Sequence, residues 1–104
     1  MSGQGQSIQD LLRRRLDLVA GMSALTATSH KLIQESAGAE MEMMRLQLEL
    51  DRNPADNQLQ SALNEVEDQI ATIRSRHDGC IAEIEEAEAA VVEIDGLIAA
   101  AKGG

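Results

Sequence analysis

The chain has 104 residues and a formal net charge of −9, and 43% of it is apolar although it contains no Phe, Trp or Tyr. That length allows one small domain, and a core built without aromatic area must draw on Leu, Ile, Val, Met and Ala, which suits helix–helix seams far better than a sandwich or an α/β sheet. The acidic surface disfavours phosphate backbones and anionic bilayers as partners, and no apolar run approaches the roughly 20 residues of a membrane span.

In chain order, residues 1–6 are small and polar and are expected to be a flexible N-terminus. MSGQGQSIQD has neither the basic region nor the apolar stretch of a secretory signal. The single Cys excludes an internal disulfide framework. The default compartment is therefore the cytoplasm, with export by a route that needs no cleaved signal left open.

From Ser7 the apolar residues fall into a heptad. Ile8, Leu11, Arg15, Leu18, Met22, Leu25, Ser29, Leu32, Ser36, Ala39, Met43, Leu46 and Leu50 advance by alternating steps of three and four. This spacing predicts a helix over 7–52 with one continuous seam, interrupted by Arg15, Ser29 and Ser36. The only proline follows, in LELDRNPADNQLQSAL. Asn53 suits an N-cap, Pro54 suits a first helical position, and Asp56 then meets the positive end of a new helix. Pro54 also keeps Asn53 out of helical conformation, so the first helix must stop there. A turn over 52–54 and a second helix over 54–101 are expected.

The second helix carries a cleaner seam: Leu59, Leu63, Val66, Ile70, Ile73, His77, Cys80, Ile84, Ala87, Val91, Ile94, Ile98 and Ala101. Counted outward from the turn, the two seams match layer by layer. Leu50 meets Leu59, Leu46 meets Leu63, Met43 meets Val66, Ala39 meets Ile70, and so on to Ile8 with Ala101. That is the layer rule of an antiparallel coiled coil. The fold class expected is all-α, a long antiparallel two-helix hairpin associating into a larger bundle or assembly. The basic run Arg13–Arg15 would then lie beside Glu93 and Asp95. Lys102 precedes a short flexible tail, 103–104.

In this alignment Ser29 faces Cys80 and Leu32 faces His77, which makes a polar layer in the middle of the seam. Such layers set register at some cost in stability. His77, Cys80 and His30 fall short of the four ligands of a structural zinc, and Cys80 has acidic neighbours that disfavour a thiolate. No catalytic residue, metal or cofactor is expected, and a narrow hairpin offers no cavity for a small-molecule substrate. The informative excess is on helix one, where Leu12, Leu16, Val19, Ile33, Met44 and Leu48 form a second apolar stripe with Ala37 and Met41. A two-helix hairpin buries one seam per helix, so this stripe is expected to join the chain to another protein, most simply to copies of itself.

The Asn53-Pro54-Ala55-Asp56-Asn57 tip between two helices resembles that of type III secretion needle subunits. Those are small, signal-less helical hairpins that polymerise into a hollow filament. The resemblance implies an exported filament subunit. The chain differs from that family in lacking aromatics and in its tail, GLIAAAKGG. The LELDRNPADN spelling is equally similar to tetratricopeptide linkers, but no repeat of about 34 residues accompanies it. Three roles remain: a structural or adaptor coiled coil, a filament subunit, and a small chaperone that masks an amphipathic helix of a client.

Overall fold

A computed structural model describes residues 7–103. It consists of two long helices, α1 (Ile8–Arg52) and α2 (Asn57–Gly103), with no strand among the described residues. The molecule is a helical hairpin. The expected flexible segment 1–6 and Gly104 lie outside the described residues.

α1 begins at Ser7. Its Oγ accepts a hydrogen bond from the Asp10 amide at 3.1 Å and its carbonyl accepts one from the Leu11 amide at 3.0 Å. One of the amides that a helix start leaves unpaired is thus satisfied. Asp10 in the first turn and Arg52 in the last are both favourably placed against the helix dipole.

The turn departs from the sequence expectation. α2 starts at Asn57, three residues later than Pro54, and its cap is Asp56 instead of Asn53. Asp56 Oδ1 accepts from the amides of Gln58 (2.9 Å) and Leu59 (3.2 Å), and its carbonyl accepts the first helical bond, from Gln60 (3.2 Å). Asn53 closes α1 instead. Its amide donates to Glu49 O at 3.0 Å and Leu50 O at 3.1 Å, and its carbonyl accepts from the Asp56 amide at 3.0 Å. That last bond spans a four-residue turn with Pro54 in second position, where its fixed φ belongs. Pro54 is therefore spent on the reversal. The carboxylate two residues later is the stronger cap because it reaches two free amides. At the other end α2 runs through Gly103, beyond the expected stop at 101. The Ala99–Ala101 run favours helix strongly enough to carry Lys102 and Gly103 with it.

The hairpin divides into two compact units. One holds the chain up to Ala27 with the chain from Cys80 onward, and the other is Thr28–Gly79. In the Thr28–Gly79 unit, Leu46, Leu63, Val66 and Ile70 form a buried cluster, with Ala39, Met43, Leu50, Leu59 and Ala62 packed around it. In the other, Leu11, Ile94 and Ile98 are buried against Leu18, and Ile94 is the most fully enclosed large side chain. Both clusters join residues far apart in sequence and close in antiparallel register. Every α1 seam position from Ile8 to Leu50 is buried or half-buried, and so is every α2 seam position from Leu59 to Ile98. Only Ala101, the outermost, is exposed. The buried and half-buried positions recur in steps of three and four, the spacing of a helix–helix seam.

Two glycines inside the helices of the Thr28–Gly79 unit work against this order. A Cβ added at Gly38 or Gly79 would meet nothing within 4 Å. Helix interiors favour Ala over Gly by about 0.5–1 kcal/mol. Gly38→Ala and Gly79→Ala are each expected to raise stability by about that amount. Urea unfolding followed by circular dichroism measures it, and an unchanged or lower midpoint would mean that one of these positions is closely approached in the native state.

Candidate association surface

Three features of the seam and its flanks bear on function. The first is the polar layer. Ser29, only 5% exposed, shares a 2.9 Å hydrogen bond between its Oγ and His77 Nε2. The sequence paired Ser29 with Cys80 and Leu32 with His77, so the bond runs between adjacent layers of that scheme. A hydroxyl in an apolar seam needs a partner, and the imidazole one turn away is long enough to reach it. Among the described residues no buried side-chain nitrogen or oxygen is left unsatisfied. Cys80 is buried and unbridged. No three His, Cys, Asp or Glu among the described residues gather into a metal-sized group.

The second feature is charge across and along the pair. Arg15 Nε donates to Asp95 Oδ1 at 2.6 Å, so the last residue of the basic run reaches one of the two acidic residues expected beside it. This contact holds the Arg15 guanidinium above its usual range. Arg74 reaches Glu40 at 3.4 Å, a pair that flanks the seam residues Ile73 and Ala39 and was legible from that adjacency. On α1, Arg45 bridges Glu42 and Glu49, the latter at 2.6 Å. The hydrogen bond from Arg45 holds the Glu42 carboxyl below its ordinary value and raises Arg45 in turn. A carboxylate lowered in this way supports the fold above its unfolded pKa, and the support fades as pH falls through the folded value. These pairs are exposed, so they tune register and surface more than they stabilise.

The third feature is the second stripe. Leu12 is 47% exposed, Leu16 68%, Val19 38%, Ile33 52%, Met44 55% and Leu48 63%, with Met41 beside them at 68%. None of them joins either buried cluster. Leu12, Leu16 and Val19 make one patch in the first unit, and Ile33, Met41, Met44 and Leu48 a second in the Thr28–Gly79 unit. The remaining sequence-selected residues lie inside. Leu32, Leu46, Leu63, Val66, Ile70 and Ile94 are buried, and Leu18, Leu25, Leu50, Leu59, Ile73, Ile84 and Val91 are half-buried. Asn53, Pro54 and Asp56 are exposed at the tip. On α2, Ile81, Val92 and Leu97 are also exposed. A groove of about 340 Å³ runs beside the seam, lined by Ile33, Ala37, Ser36, Ile73, Arg74 and His77 among others. No helix among the described residues is long and apolar enough to cross a membrane.

Comparison of the chain with protein-family models, with curated proteins and with solved structures returned no match. The fold and its surface define a class, a two-helix coiled-coil hairpin with an uncovered apolar stripe.

Proposed function

We propose that this is a non-enzymatic structural or adaptor protein that works by protein–protein association through the apolar stripe of α1, with copies of itself as the first partner. The observation that carries this reading is the exposure of large apolar side chains in two patches of one helix, with Leu16, Met41 and Leu48 each more than 60% exposed. Isolated surface leucines are ordinary, but two clusters of large exposed apolar side chains on one helix are a surface suited to contact. A net charge of −9 argues against nucleic acid as the partner.

The test is absolute mass in solution, by size-exclusion chromatography with light scattering over a wide concentration range. A discrete dimer or tetramer supports the reading. Growth without limit would instead favour the filament behaviour that the turn's resemblance implies. A monomer at every concentration would remove self-association and leave the stripe to a helical client. The paired variant Val19→Glu with Ile33→Glu is expected to keep full helicity and lose association, by at least a hundredfold in dissociation constant, because two charges would enter a desolvated apolar contact. An unchanged mass in that variant would show that the stripe is not the contact.

A further inference from the structure

We infer that Met41 and Met44 form an oxidation-controlled site: a hydroperoxide converts their thioethers to sulfoxides ahead of every other described methionine, and the change switches off association through the patch of the Thr28–Gly79 unit. The order of modification stands on exposure alone, and its consequence rests on the self-association reading. The chain holds five methionines, of which Met1 lies outside the described residues. Met22 and Met43 are half-buried on the seam. Met41 is 68% exposed and Met44 55%. Three of the five stand together in MEMMR, residues 41–45. On a helix, residues three apart share a face and immediate neighbours do not. Met41 and Met44 therefore lie together on the outer side, while Met43 packs against the buried cluster of Leu46, Leu63, Val66 and Ile70.

The chemistry is an oxygen transfer. The thioether sulfur gives an electron pair to one peroxide oxygen, and the O–O bond breaks as the S–O bond forms. Sulfur is oxidised by two electrons and the hydroperoxide is reduced by two, leaving as water or an alcohol that keeps the proton. The product is a polar side chain where a flexible apolar one stood. Met41 and Met44 supply half of the large apolar side chains in this patch, with Ile33 and Leu48. As thioethers they adapt readily to an apolar partner surface. As sulfoxides each carries an acceptor oxygen that loses its water on entering such a contact and finds no donor there. The hairpin itself is spared, because neither side chain joins a buried cluster. Met43 is shielded by the packing that holds it, so the outer pair is modified while the fold persists.

The test is graded treatment of the full chain with hydrogen peroxide, followed by peptide mass mapping, light scattering and circular dichroism. Met41 and Met44 are expected to oxidise several-fold faster than Met22 and Met43, with helicity unchanged. The dissociation constant is expected to rise about a hundredfold when both are sulfoxides, about tenfold for each unpaired acceptor carried into the contact. Methionine sulfoxide reductases for the two epimers are expected to restore the original mass. The variant Met41→Leu with Met44→Leu is expected to associate like wild type and to keep its mass under the same peroxide dose. Equal rates at Met22, Met41, Met43 and Met44 would overturn the site. Dissociation of the double-leucine variant to the same extent as wild type would place the sensitive group elsewhere, at Cys80 or in the seam, and overturn it too. Full conversion of Met41 and Met44 with unchanged mass would overturn the switch while leaving self-association intact. An untreated protein that is monomeric at every concentration would overturn self-association and the switch with it.

Discussion

The Leu46→Asp protein is expected to lose most of its helical circular dichroism signal at room temperature. Leu46 is 3% exposed and sits among Leu63, Val66 and Ile70 in the larger buried cluster. Deleting such a leucine costs about 2–5 kcal/mol through lost transfer and residual cavity. The carboxylate adds a further desolvation penalty of several kcal/mol, since nothing in that cluster can pair with it. A small domain has only about 5–15 kcal/mol in total, and long helices in water depend on tertiary packing for their persistence. Ile70→Asp, on the facing helix at 5% exposure, should behave the same way. The control lies two residues along α1. Leu48 is 63% exposed, and Leu48→Asp should remain fully helical. A Leu46→Asp protein that melted like wild type would show that the two seams do not meet in this register.

The second large effect concerns the hydrogen bond inside the seam. His77→Leu leaves the Ser29 hydroxyl buried without a partner, at a cost of about 1–3 kcal/mol, and Ser29→Ala strands the half-buried imidazole at somewhat lower cost. The double variant Ser29→Ala with His77→Leu is expected to be at least as stable as wild type, because both polar groups leave together and an apolar layer takes their place. Urea unfolding of the four proteins gives the coupling directly, and about 1 kcal/mol or more is anticipated for groups in contact at 2.9 Å. Additive single and double effects would mean that the bond contributes nothing and the layer is held by packing alone. A purely apolar seam of uniform steps can slide by a heptad, whereas Ser29 and His77 satisfy each other in one alignment.

The heptad steps, the absence of aromatics and the lone proline between two seams were enough, in the sequence by itself, to determine two helices, an antiparallel hairpin and which residues face inward. Periodicity is a property of the chain, and burial follows it wherever each helix has one partner face. The same periodicity exposed the second stripe, since a residue one step off the seam cannot also lie on it. Arg15 with Asp95 was legible for a similar reason, through charge sign and register together.

Only the tertiary structure decided three things. It moved the cap of α2 from Asn53 to Asp56, because the choice between them depends on which backbone amides the reversing chain leaves free, and spacing does not contain that. It joined Ser29 to His77 across adjacent layers, because a hydrogen bond follows side-chain length and direction while the heptad counts only Cα positions. It also carried α2 through Gly103, where helix already formed in the preceding alanines outweighs the local preference of glycine to stop it.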